Sequence, residues 1–89
     1  MVYRGRVQGV GFRYTTARLA EAFAVDGYVM NLADGSVRME AEGDKAELER
    51  FHEAILGSPP GAGVRETDLH WGDVHGRFDG FRIRYQTLE

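Results

Sequence analysis

With 89 residues, 43% hydrophobic and 28% charged, the chain has the size and composition of one soluble domain with its own core, not of a disordered tail. It has no cysteine, which excludes disulfides, thiolate metal sites and a cysteine nucleophile. The net charge of −3 argues against bulk attraction to nucleic acid, no apolar run approaches the ~20 residues of a membrane span, and no secretory signal precedes the first element, so the cytoplasm is the expected compartment.

Val2 to Gln8 alternates as a half-buried strand, with Tyr3, Gly5 and Val7 on one face and Arg4, Arg6 and Gln8 on the other. Gly9-Val10-Gly11 breaks it. From Phe12 the period becomes helical, since Phe12, Thr16, Leu19, Ala20 and Phe23 form one stripe; this predicts a helix over 12–24. Tyr28 to Leu32 reads as a second strand. Asp34-Gly35 then signals a hairpin with a type I′ turn, in which both central residues need positive φ. Val37, Met39 and Ala41 face inward on the strand that follows.

Asp44 and Glu47 have capping-box spacing ahead of a second helix over 44–56, whose stripe is Leu48, Phe51, His52 and Ile55. Gly57 stands where a left-handed C-terminal glycine belongs, and Pro59-Pro60 prevents continuation. A flexible stretch from Gly57 to Gly63 leads to a fourth strand with Thr67, Leu69 and Trp71 inward. After the polar segment Gly72 to Gly80, a final strand alternates Phe81, Ile83 and Tyr85 with Arg82 and Arg84. The order is βαββαβ. It defines an α+β, ferredoxin-like sandwich: an antiparallel sheet with two helices on one face, in a single domain over 1–89. That fold alone decides no function.

Chemistry concentrates at Gly5-Arg6-Val7-Gln8-Gly9-Val10-Gly11-Phe12-Arg13, where a strand passes through a short glycine turn into a helix. Such a turn converges backbone N–H groups on one point, and the first helical turn adds unpaired donors of its own. The product is an anion site. A cation at the positive end of a helix dipole is unfavourable by about 0.3–1 kcal/mol, so Arg13 fits best there with an anion beside it; a solvated surface arginine is the plain alternative. The segment is neither a dinucleotide fingerprint, since Tyr14 occupies the third glycine position, nor a Walker loop, for want of its lysine. Asn31, at the end of the second strand, has an amide able to hold a water by donating and accepting at once, or simply a residue suited to a turn. His52, His70 and His75 lack the spacing of a zinc site.

The nine residues from Gly5 to Arg13 resemble the G-x-V-Q-G-V-x-F-R stretch that defines acylphosphatases. Gly27-Tyr28-Val29-Met30-Asn31, followed by Asp34-Gly35-Ser36-Val37, is similar to the second motif of that family, and Phe81-Arg82-Ile83-Arg84-Tyr85 to its closing strand. The resemblance implies a metal-free, cofactor-free hydrolase that splits a small acyl phosphate into a carboxylate and inorganic phosphate. Arg13 and the loop Gln8, Gly9, Val10, Gly11 and Phe12 would hold the phosphoryl group, and Asn31 would orient the attacking water. Tyr28 replaces the usual tryptophan, and Met30 stands where a basic residue is common; both alternate away from Asn31. The expected partner is the substrate alone, for a monomer that binds neither nucleic acid nor membrane. The main alternative is a non-catalytic module binding acyl or carbamoyl phosphate, as the resemblance to the acylphosphatase-like domains of hydrogenase maturation proteins implies. An RNA-binding module on this fold would need exposed aromatics where Arg4 and Arg6 stand.

Overall fold

The structure is a computed structural model that describes residues 1–70, 72, 76 and 78–85. Five strands, β1 (Val2–Gly5), β2 (Asp26–Asn31), β3 (Val37–Glu42), β4 (Val64–Asp68) and β5 (Phe81–Arg84), form one sheet in the order β4-β1-β3-β2-β5. Two helices, α1 (Phe12–Ala20) and α2 (Lys45–Gly57), connect them, together with a short 3-10 turn at Pro60–Gly63. This is the expected ferredoxin-like α+β architecture. The sheet is mixed rather than wholly antiparallel: β1 pairs antiparallel with β3 and β4, and β2 with β3, but β2 and β5 run parallel. The edge beside β1 belongs to β4, so the last strand takes the opposite edge and there runs in the direction of β2.

The core lies between helices and sheet. Tyr3, Val29, Val37 and Met39 from the strands meet Phe12, Thr16, Ala20, Phe51 and Ile55 from the helices, all buried. Ring contacts knit the layers, with centroids 5.2 Å apart for Tyr3 and Phe12, 5.7 Å for Phe23 and Phe51, and 5.4 Å for Phe51 and Phe81. Burying each such ring contributes about 1.5–3 kcal/mol, and that contribution holds the glycine turn against the sheet through Phe12. Tyr28 faces the other side of the sheet, where the Arg84 guanidinium lies 4.2 Å from its ring centroid and Phe78 packs on its edge.

Several local expectations are corrected. Helix α1 stops at Ala20, and i→i+3 bonds from Glu21, Ala22 and Phe23 tighten the following turn, keeping Phe23 on the buried side without α geometry. The hairpin is not type I′, because no non-glycine residue has positive φ. Leu32 N–H donates to the Ser36 carbonyl and Gly35 N–H to that of Leu32, which makes a three-residue loop with left-handed Gly35 (φ 92°). Asp44 makes no side-chain cap and the capping box is unformed; the Glu47 carboxylate instead accepts from the Ala24 N–H and from Arg50. Gly57 lies inside α2 rather than after it. The helix ends through Ser58, whose hydroxyl donates to the Ile55 carbonyl, in the extended backbone that a following proline requires. The stretch to Gly63 is a 3-10 turn seated against α2, not a flexible linker. On the fourth strand Thr67 is half-buried, whereas Leu69 lies beyond β4 and is exposed. Trp71 and His75 lie outside the described residues.

Candidate active site

The glycine turn stands on a fixed base. Arg6 N–H donates to the Gly63 carbonyl at 2.9 Å, and a Cβ on Gly63 would strike the Arg6 carbonyl oxygen, so the two segments cross with no room for a side chain. Val7, next along, is buried. Gly9 (φ 75°) and Gly11 (φ 81°) are left-handed, and nothing crowds the space beside their α-carbons, so backbone dihedrals rather than packing demand glycine at both. Gly11 is the N-cap of α1, and its carbonyl accepts the first helical bond from Thr15. No side chain caps this end, and no acidic residue sits in its first turn. Among the described residues, the N–H groups of Gly9, Val10, Gly11, Phe12 and Arg13 donate to no backbone carbonyl. They form a run of free donors at the positive end of a helix.

Gln8 ties this turn to the second motif. Its Nε2 donates to the Leu32 carbonyl at 2.8 Å and to that of Ser36 at 2.9 Å. The side chain is thus engaged in bracing. The bracing sets the turn beside the end of β2, where Asn31 pairs in register with Val37. Asn31 continues the face of buried Val29, and its Oδ1 is buried without a hydrogen-bond partner among the described residues. Leaving a buried amide oxygen unbonded costs about 1–3 kcal/mol, so Oδ1 is suited to accept from a small donor such as water.

Half-buried Arg13 directs its guanidinium to the same end of the sheet, 4.9 Å from the centroid of the Tyr85 ring. The parallel pairing of β2 and β5 ends with Met30 opposite Arg84, so Asn31 and Tyr85 leave the sheet side by side. The structure therefore gathers the glycine turn, Arg13 and Asn31 around the C-terminal ends of two parallel strands and the N-terminus of one helix. Sequence reasoning missed three contributors: buried Ser36, whose carbonyl receives Gln8; Gly63, which supports the turn; and Tyr85. Only a β5 placed parallel to β2 would have exposed the last. Asp34 stays outside this group, and hydrogen bonds from the Ser36 hydroxyl and N–H hold its carboxyl below the usual carboxylate range. His52 is a packing residue with its Nδ1 2.8 Å from the Tyr3 hydroxyl. Among the described residues no group of three His or acidic side chains is arranged to hold a metal.

Fold and sequence together place the chain in a known class of small α+β hydrolase domains. A family model described as Acylphosphatase matches residues 1–83. The chain is 50% identical over 80 residues to the acylphosphatase of Salinibacter ruber, covering 90% of this chain and 84% of that one. It is 46% identical to the acylphosphatase of Thermotoga petrophila, covering 91% and 89%. The crystal structure of acylphosphatase from Bacillus subtilis superposes with a TM-score of 0.86 at 34% identity, over 94% of this chain and 93% of that one. HypF from T. kodakarensis contains a similar region, with a TM-score of 0.79 at 29% identity, covering 98% of this chain but 12% of that one. The chain belongs to the acylphosphatase family.

Proposed function

We propose that this acylphosphatase hydrolyses its acyl phosphate by direct attack of a water held by Asn31, on a phosphoryl group gripped by Arg13 and by the backbone N–H groups from Gln8 to Arg13. The water oxygen bonds to phosphorus while the bond from phosphorus to the carboxyl oxygen breaks, and the carboxylate departs with the electron pair. The proton shed by the water passes to a phosphate oxygen or to solvent. A carboxylate is the conjugate base of an acid of pKa about 4, so it leaves without a general acid. Catalysis then reduces to placing the nucleophile and stabilising charge on the equatorial oxygens, tasks for an amide, a guanidinium and oriented N–H groups. No step needs a metal. The same site acts poorly on phosphate monoesters, whose alkoxides are poor leaving groups.

The unsatisfied Oδ1 of Asn31 beside the run of free N–H donors carries this reading, because it supplies an acceptor for water next to a cradle for phosphate. The test is hydrolysis of benzoyl phosphate with EDTA present. Turnover persists, and Arg13→Ala loses both turnover and inhibition by inorganic phosphate, since it removes contacts common to ground and transition states. Activity that vanishes with chelator and returns with metal overturns the mechanism. The likeness to part of HypF favours one second reading, a module that binds acyl or carbamoyl phosphate without useful turnover. Phosphate binding with no hydrolysis would select it.

A further inference from the structure

We infer that Tyr85 is a positioning residue whose ring holds the Arg13 guanidinium ready for the phosphoryl group. The inference rests on the role proposed for Arg13. Three observations carry it. The guanidinium carbon lies 4.9 Å from the Tyr85 ring centroid, within the range of a cation–π contact. Tyr85 is 71% exposed, so the core does not explain an aromatic ring at this position. The parallel register of β2 and β5 delivers it next to Asn31, at the mouth of the glycine turn. An aromatic face restrains the guanidinium without taking up its N–H donors, which lie in the guanidinium plane.

This role makes a specific kinetic prediction. Ordering a free arginine side chain weakens binding, and once phosphate is bound the guanidinium is in place with or without the ring. Loss of the ring therefore raises KM and the inhibition constant for phosphate together and changes kcat little.

The experiment compares Tyr85→Leu and Tyr85→Phe in benzoyl phosphate hydrolysis and in competitive inhibition by inorganic phosphate, with Arg13→Gln alongside. Circular dichroism checks that each variant is folded. Tyr85→Leu is expected to raise both KM and the phosphate inhibition constant about two- to five-fold, the value of an exposed cation–π contact. Tyr85→Phe recovers most of that loss, because the face and not the hydroxyl is used. The Arg13 Nε–H resonance, shifted by the ring in the parent, moves toward its random-coil position in Tyr85→Leu and not in Tyr85→Phe. Unchanged phosphate inhibition in Tyr85→Leu, or a Phe variant as impaired as the Leu variant, overturns the inference. If Arg13→Gln also keeps full phosphate inhibition, the fault lies with the role given to Arg13; if only Tyr85→Leu is silent, it lies with the ring.

Discussion

The Asn31 amide oxygen is buried with no partner among the described residues, which leaves it for the water of the proposed attack and gives it little part in stability. The two effects separate on mutation. Asn31→Ala is expected to lower kcat about 100-fold or more, the scale of losing a group that fixes a nucleophile, while the phosphate inhibition constant stays within about two-fold. The same variant should stay within about 1.5 kcal/mol of the parent's stability, because at that oxygen it removes only one hydrogen bond to water. Steady-state kinetics and urea unfolding on one preparation read both quantities. A collapse of phosphate affinity would show that Asn31 grips the anion instead of the water.

At the scale of elements, the site is a junction between the β1–α1 turn and the β2–β3 hairpin, fastened by Gln8. Its amide donates to two carbonyls, those of Leu32 and Ser36, each of which also accepts from a backbone N–H of the hairpin. Gln8→Leu is expected to destabilise the fold by about 1–3 kcal/mol, through the loss of two hydrogen bonds between the turn and the hairpin. It should also raise KM, since the turn is no longer registered against Asn31; parent-like stability and KM in the variant would show that Gln8 does not brace the turn. Gln8→Glu should be worse, because a carboxylate cannot donate to carbonyls and adds negative charge where an anion must bind. The spacing of glycines, valines and aromatics made most of this legible. The turn was legible from the loss of alternation at Gly9 and the helical period from Phe12, although β1 itself already ends at Gly5 and not at Gln8. Spacing left Arg13 and Asn31 open, and only the resemblance to acylphosphatases singled them out. The Asp34-Gly35 turn was placed correctly but given the wrong geometry, because the loop length depends on where Leu32 and Ser36 pair. The capping box failed for a similar reason: Glu47 found a better partner in the Ala24 N–H, a contact between distant segments. The parallel pairing of β5, and with it Tyr85, also depended on such contacts.

Over the whole molecule, the helix layer is locked to the sheet at the contact between His52 and Tyr3. Burial keeps the imidazole below its usual pKa, with Glu53 opposing weakly, and pushes the Tyr3 hydroxyl well above its ordinary value. The native state therefore favours neutral His52. Stability from this source is complete above the unfolded pKa of about 6.5 and declines as pH falls toward the depressed native value, since the unfolded chain takes up the proton first. The Met1 amine, also lowered by burial, acts in the same direction at higher pH; Asp34 and Glu47, held low by hydrogen bonds, act below the His52 window. Urea midpoints between pH 7 and 5 should fall in the parent and flatten in His52→Gln; equal slopes would assign the acid sensitivity elsewhere. The crossing of Arg6 with Gly63 has a consequence for assembly during synthesis. Every side chain assigned to the reaction is translated within the first 31 residues, but the support beneath the turn arrives some 57 residues after the segment it supports. A nascent chain halted after α2 would hold all the reactive groups and still lack the footing that aims them. Competence thus waits on a loop closed late, over a long stretch of chain, the kind of contact that sets a slow pace for folding.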